Sequence, residues 1–319
     1  MTRQFSEDEL FVITLGGNAV LPVGQSGSID EQFNLTRSTM AHVANLAKTG
    51  LRMVLSHGNG PIVGNIVIRN ECASHLVTPM PLFVCGADSQ GGIGFMIQNA
   101  LRNELYLSGS PQPVASIVTQ VEVDASDPAF ENPSKPIGPF YRADEARIME
   151  EQKGWAMKED AGRGWRRVVA SPEPKRIVEW EAIKRLVEGD ILTICTGGGG
   201  IPVRMSKKGL LKGVDAVIDK DLAAVLLAKS LGATGLVFIT AVHNVAVGFG
   251  TPEQRDLGRV SLEEIKTYQA AGEFPEGSMG PKMEAAIRFL EGGGKEAIVC
   301  APEALDDAVN GKAGTRIYA

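Results

Sequence analysis

The chain has 319 residues, enough for one large domain or two modest ones, and at this length roughly 75% of the unfolded surface can be buried without disulfides or a structural metal. Apolar residues make up 44% and charged residues 22%, a globular composition that argues against disorder. The net charge is −6 with no long basic run, so nucleic acid is not an expected partner; no apolar run reaches the roughly 20 residues of a membrane span, Met1–Leu10 is too polar for a secretion signal, and the cytoplasm is the default compartment.

Strand-like and helix-like runs alternate from the start. Leu10–Leu15 (LFVITL) is a continuous apolar run of the kind a fully buried strand needs. Ser28-x-x-Glu31 is a capping box, and the helix pattern behind it stops at Gly50. Leu51–Ser56 reads as a second strand, with helices expected after Pro61 and after Asp88. Val114–Val123 is β-rich, Arg176–Glu188 reads as a helix and Ile191–Thr196 as another buried strand. The second half continues the rhythm. Ala216–Ile218 leads into a helix over Asp219–Leu231, and Gly235–Val242 is strand-like. Ser261-x-x-Glu264 opens a helix, Pro281 suits the first turn of one running to Leu290, and Ala297–Cys300 is a late strand. Such alternation predicts an α/β chain with a parallel sheet covered on both faces.

Asp124–Ala170 breaks the pattern. The apolar period fades while Pro, Lys, Glu and Trp accumulate, which predicts a small lid subdomain inserted in the larger domain. Within it, Lys135-Pro-Ile-Gly-Pro has two prolines around one Ile-Gly pair, a stiff base for Lys135. Cys72, Cys85, Cys195 and Cys300 are widely spaced with no C-x-x-C and read as reduced thiols, three of them in or beside apolar runs. The four histidines are scattered, so no metal-ligating residue set is assigned.

Glycines cluster behind three putative strands: Gly16-Gly17-Asn18, Gly58-Asn59-Gly60 and Gly197–Gly200, which includes Gly198 and Gly199. The carboxyl edge of an open α/β sheet is where ligands bind, and glycine lets backbone N–H groups approach a phosphate. A tight strand-to-helix turn also wants glycine, so both readings stay open for any one cluster. None fits the P-loop or the dinucleotide fingerprint. Phosphoryl transfer needs cations beside such loops. Lys220 sits at a strand-to-helix junction next to Asp221, and Lys282 sits in the first turn of a predicted helix, where an ammonium opposes the helix dipole unless an anion lies beside it. Asp221 could fix lysine geometry or accept Mg²⁺ through water.

At these residues the sequence resembles the carbamate kinases of the amino acid kinase family, over nearly the whole chain. The matching stretches are Leu15-Gly-Gly-Asn-Ala, Ser56-His-Gly-Asn-Gly-Pro followed by Val63-Gly-Asn65, Lys135-Pro-Ile-Gly-Pro-Phe-Tyr141, Arg166-Arg-Val-Val169 and Ser171-Pro-Glu-Pro174. Gly197-Gly-Gly-Gly-Ile-Pro202, Gly213-Val-Asp-Ala-Val-Ile-Asp-Lys-Asp-Leu222, Ser278-Met-Gly-Pro-Lys282 and Gly311-Lys-Ala-Gly-Thr-Arg316 follow in order. The resemblance implies a three-layer αβα sandwich with a mainly parallel sheet of about eight strands, a protruding lid subdomain and a homodimer. It implies phosphoryl transfer between ATP/ADP and carbamate or carbamoyl phosphate, with Mg²⁺. By resemblance, Gly16, Gly17, Asn18, Gly58 and Asn59 hold the acceptor and the moving phosphoryl group, Lys220 and Lys282 neutralise it, Asp221 orients both lysines, and Lys135 reaches in from the subdomain. Thr240, Val242, Ser278 and Met279 fall on the nucleotide side.

Two stretches depart from the family pattern. Ala241 and His243 stand where acidic residues are frequent, on the nucleotide side; Asp88 and Gly92 replace larger apolar residues and bear on the dimer surface or the acceptor pocket. Two further readings therefore stay beside the first: a kinase of the same fold for another small carboxylate, and a nucleotide-binding regulator without turnover.

Overall fold

The first strand shows how the sheet is buried. In β1 (Leu10–Leu15), Leu10 and Val12 face one apolar cluster while Phe11, Ile13 and Leu15 face a second on the opposite side, so every position is apolar except Thr14. Period-2 alternation between two covered faces gives the continuous apolar run. The computed structural model describes residues 5–6, 8–17, 28–160, 164–275 and 279–319.

From β1 the chain passes to α1 (Ile29–Ala47), opened by the Ser28–Glu31 capping box, then to β2 (Arg52–His57) and α2 (Gly60–Cys72), with Pro61 in the first turn. The helix expected after Asp88 starts earlier, as α3 (Leu82–Leu107), with Pro81 at its N-cap. It tolerates internal glycines partly because the chain needs one of them: a Cβ on Gly94 would lie 2.3 Å from Ser116 Oγ. The single β-rich run divides into β3 (Val114–Ser116) and β4 (Gln120–Val123), which belong to different sheets.

The segment from Asp124 to Ala170 has more structure than its composition suggests. It contains β5 (Lys135–Tyr141), α4 (Ala143–Lys153), β6 (Ala156–Glu159) and β7 (Trp165–Val169), with the strands paired antiparallel in the order β5-β7-β6. Gly138, at φ +69°, sits where the β5–β7 register shifts. The segment is anchored by apolar contacts. Ile137 and Val169 bury against Val63 and Val67 of α2 and Leu82 and Cys85 of α3.

Pro174–Ile177 is a strand, β8, paired with β4, so the helix expected over Arg176–Glu188 shrinks to α5 (Trp180–Glu188). Then follow β9 (Leu192–Ile194), the hairpin of β10 (Ile201–Met205) and β11 (Leu211–Gly213), and α6 (Lys220–Leu231). β12 (Gly235–Ile239) leads to the hairpin β13 (Val245–Val247) and β14 (Arg255–Leu257), then β15 (Arg259–Ser261) and α7 (Leu262–Ala270), which starts at the expected Ser261 capping box. The chain ends with α8 (Met279–Glu291), β16 (Glu296–Cys300), α9 (Leu305–Val309) and β17 (Thr315–Tyr318).

The main sheet has eight strands in the order β15-β17-β16-β12-β1-β2-β9-β3, all parallel pairings but β16–β17. α1, α3 and α9 cover one face; α5, α6, α7 and α8 cover the other. This is the expected αβα sandwich. The carboxyl ends of β1, β2, β9 and β12 lie side by side, and the glycine loops leave from that edge.

One of those loops adopts a backbone geometry that only glycine accommodates without strain. Gly199 has φ +92°, and a Cβ there would sit 2.4 Å from the Ile218 carbonyl oxygen, just before the helix bearing Lys220. Gly50 has a similar φ of +80° but open space around it. Gly199→Ala should therefore cost more than the roughly 1–3 kcal/mol of left-handed strain alone, and Gly50→Ala no more than that strain. Urea midpoints of the two variants check the order; equal losses would mean that the contact with Ile218 contributes nothing.

Candidate active site

Three loops meet over the carboxyl edge of the sheet. The loops after β1 and β2 are tied by a bond from Gly58 N–H to Leu15 O (2.8 Å), and Gly16 N–H donates to Ile239 O (2.9 Å). These two amides are committed to strand carbonyls. Their glycines matter through the missing side chain: a Cβ on Gly58 would lie 3.0 Å from Lys220 Cδ and 3.2 Å from Gly17 N, and one on Gly16 would lie 2.9 Å from Ile239 O. The amides of Gly17, Asn59 and Gly60 have no backbone partner among the described residues, and all three residues line the cleft. Gly198 lines it too, pressed against the Asn59 amide, which donates to Ser89 Oγ at 2.9 Å. Gly199 does not line it and acts by shaping the loop. Asn18 and Ser278 lie outside the described residues.

The cleft has a volume of about 800 Å³. On one side α6 and α8 point their N-termini into it, and each carries a lysine in its first turn. Asp221, in the first turn of α6, is buried and bridges the two: Lys220 Nζ donates to its Oδ1, and Lys282 Nζ lies 3.3 Å from its Oδ2. Burial, and then the Lys220 charge, lower the Lys282 pKa, with Asp221 opposing both. Ammonium groups at helix N-termini are unfavourable alone; here a carboxylate holds them at hydrogen-bond range.

Lys135, the first residue of β5, reaches the same cleft from the three-stranded sheet β5-β7-β6. Its Nζ lies 2.6 Å from Asp219 Oδ2. Asp219 is the N-cap of α6, and its Oδ1 accepts from the Asp221 N–H (2.8 Å) and the Leu222 N–H (3.4 Å). Burial pushes the Asp219 carboxyl upward, but Lys135, Lys220 and the Asp221 amide outweigh it and hold the pKa at about 2. Asp219 was missed in the sequence because an N-cap aspartate is an ordinary helix start. Arg166 was also missed: it lines the cleft and donates to Gly138 O at 3.1 Å while pairing with Asp160 at 3.3 Å.

The rest of the cleft is formed by the loop after β12, the β13–β14 hairpin and the start of α8. Thr240, Ala241, Val242 and His243 line it, with Met279 opposite. Phe249 and Asp256 of the hairpin region also line it, and nothing in the sequence pattern singled them out. Asp88 and Gly92 lie on the exposed face of α3, outside the cleft.

Neither the lysines nor the glycines show a metal cage. Among the described residues no group of three or more His, Cys, Asp or Glu side chains could hold an ion. Asp219 and Asp221 are both engaged by lysines. This donor set suits Mg²⁺ carried by phosphate oxygens and water rather than by a protein site.

The chain matches the family model described as the amino acid kinase family over residues 9–301. It is 48% identical to the carbamate kinase of Pyrococcus horikoshii over 311 residues, 97% of this chain and 99% of that protein. It is 46% identical to the carbamate kinase-like protein YahI of Escherichia coli, over 97% of this chain and 98% of that one. Among solved structures, carbamate kinase from Giardia lamblia bound to AMP-PNP superposes with a TM-score of 0.91 at 44% identity, covering 98% and 99% of the two chains.

His57 supports the site from below. Its ring is fully buried, Nδ1–H donates to Gly58 O at 3.0 Å, and the Nε2 edge packs so closely on Gly197 that a Cβ there would lie 2.4 Å away. Burial lowers its pKa from 6.5 to about 4, the backbone bond opposing only in part. The folded value lies below the unfolded one, so the unfolded chain binds the extra proton between them. Stability from this group is therefore complete above pH 6.5 and is lost as pH falls toward 4, about 3 kcal/mol in all. Urea unfolding at pH 7.5 and pH 5 should show about 2 kcal/mol of this loss in the wild type and a flatter profile in His57→Gln.

Proposed function

The chain belongs to the amino acid kinase family, and from that premise we infer that it catalyses the carbamate kinase reaction, reversible phosphoryl transfer between ATP and carbamate. The observation that carries this reading is the buried Asp221 bridge between Lys220 and Lys282, set beside free glycine-loop amides at the edge of the sheet. In the direction toward ATP, a β-phosphate oxygen of ADP forms a bond to the phosphorus of carbamoyl phosphate. The bond from that phosphorus to the carbamate oxygen breaks, and carbamate leaves with the electron pair. Carbamoyl phosphate is a mixed anhydride, so the protein need only align it and stabilise the moving charge.

Each group has a place in that scheme. Lys220 and Lys282 face the transferring phosphoryl group, and Asp221 keeps them from swinging out to solvent. The amides of Gly17, Asn59, Gly60 and Gly198 supply further donors. Lys135 reaches the same phosphate from the subdomain, which acts as a lid. The loop from Thr240 to His243 and the start of α8 take the nucleotide. Mg²⁺ arriving with the nucleotide would neutralise phosphate charge. The alternative of a different small-carboxylate acceptor drew on Asp88 and Gly92, and both sit away from the cleft.

Two further parts belong to the proposal. The state is a homodimer, consistent with the exposed stripe of Phe95, Arg102 and Tyr106 on α3. The compartment is the cytoplasm, which accords with four free cysteines. No helix among the described residues is long and apolar enough to cross a membrane.

Purified protein should form ATP from ADP and carbamoyl phosphate with Mg²⁺, well above spontaneous decomposition of the anhydride. Absence of ATP at saturating ADP and Mg²⁺ would sink the reading. Lys220→Ala and Lys282→Ala should each lower kcat by roughly 10²–10³, the loss expected for one charge-stabilising donor, and change ADP binding less. A raised KM at unchanged kcat would instead mark these lysines as ground-state binders. Asp221→Asn should also lose activity, because a neutral amide cannot restrain two ammonium groups.

A further inference from the structure

The contact that the phosphoryl-transfer scheme leaves unused is the one between Lys135 and Asp219. We propose that Asp219 is a positioning residue that docks the subdomain lysine, Lys135, over the cleft and ties the subdomain to the helix that begins at Lys220. The inference rests on the carbamate kinase reading for its substrate, but its structural half stands apart from that reading.

The carboxylate divides its two oxygens between two tasks. Oδ1 caps α6 through the Asp221 and Leu222 amides, so it fixes the turn that presents Lys220 and Asp221. Oδ2 accepts Lys135 Nζ at 2.6 Å. A second tie lies two residues earlier: Val217 N–H donates to Ala170 O at 2.9 Å, directly after β7 of the subdomain. Val217 also packs on the Ile137 and Val169 cluster at the subdomain base. The segment over 217–219 is thus the dock for the subdomain, and Asp219 is its charged end.

The electrostatics give the arrangement a purpose. A bare carboxylate at this place would repel a phosphate entering the cleft. Pairing with Lys135 cancels that charge in the empty site and keeps the ammonium from ranging over solvent. The Lys135 side chain is 36% exposed against 15% for Asp219, so the lysine end can shift toward an incoming phosphate while the carboxylate stays on its helix. Holding a cation near its working position before the substrate arrives reduces the ordering cost of binding.

Asp219→Asn separates the two tasks, because asparagine caps a helix as well as aspartate does but carries no charge. Without substrate, acetylation of Lys135 by acetic anhydride, followed by mass spectrometry, should run several-fold faster in Asp219→Asn than in the wild type. With substrates, Asp219→Asn should raise the carbamoyl phosphate KM about tenfold and leave the ADP KM within about twofold. Lys135→Ala should do the same, and the double variant should be no worse than Lys135→Ala alone, since both remove one interaction. Equal acetylation rates, or single effects that multiply in the double variant, would overturn the proposal. If the wild type made no ATP, the function would fail while the acetylation arm still decided the docking role. Asp219→Ser, which also keeps a capping oxygen, replaces the Asn variant should that one not bind ADP.

Discussion

Two ammonium groups sit at the N-termini of two helices, and the buried carboxylate of Asp221 holds both. Much of the cleft's geometry can be traced to this contact. Lysines at those positions oppose the helix dipoles and lose hydration, as the lowered Lys282 pKa records. Taking away one partner of such a buried set leaves an uncompensated charge at a cost of about 3–5 kcal/mol. The lysines can be close together only because Asp221 lies between them, and Asp221 can be buried only because both lysines face it. Glycine at position 58 lets Lys220 lie close beneath the loops, since a Cβ there would sit 3.0 Å from Lys220 Cδ and 3.2 Å from Gly17 N. The charge cluster thereby bears on position 58 of the loop as well as on the helix starts.

The sheet supplies the rigidity that this cluster needs. Asp219, Lys220 and Asp221 follow the segment on which Gly199 packs, and Gly198 packs in turn on Asn59 behind β2. His57 presses on Gly197 from beneath. Three loops with little bulk of their own therefore brace one another, glycine backbone lying against the Asn59 side chain, the His57 ring and the Ile218 carbonyl. Small residues in such loops are a packing requirement as much as an invitation to phosphate, and the structure separates the two uses. Gly16 and Gly58 have committed amides, while those of Gly17, Asn59, Gly60 and Gly198 have no backbone partner among the described residues.

That separation is also where sequence reading reached its limit. The strand LFVITL, the Ser28 and Ser261 capping boxes and the αβα layering all follow from local patterns that tertiary packing left undisturbed. Lys282 stood out because a lysine in a first turn is out of place without an anion, whereas the convergence of Lys220, Asp221 and Lys282 was implied only by the family resemblance. The strands β5, β6 and β7 were hidden for a physical reason. In a small three-stranded sheet, long cationic side chains cover aromatic rings: Arg167 lies 4.4 Å from the Trp155 ring centroid and Arg166 5.2 Å from that of Phe140. Charged residues that bury their stems read as solvent-facing in a sequence, so the period-2 signal of β5, β6 and β7 disappears. α3 begins at Leu82, ahead of the start expected after Asp88, and Gly86 lies in that added turn; farther along, the missing side chain of Gly94 lets the helix approach Ser116.

The charge balance of the inner cleft explains why it should stay open to an anion. Lys135, Lys220 and Lys282 face Asp219 and Asp221, while Arg166 is already paired with Asp160. Three ammonium groups against two carboxylates leave one positive charge in excess, in a site where burial already strains Lys282. Adding a third carboxylate would neutralise the cluster and remove its affinity for phosphate. Removing either existing one would leave like charges too close to remain buried. The pairing seen here lies between those limits: enough negative charge to keep the lysines in place, and too little to satisfy them. Free amides around the same point extend that deficit without adding repulsion, because a backbone N–H carries donor character and no net charge. A transferring phosphoryl group, whose charge is spread over its oxygens, is the kind of guest that completes such a site.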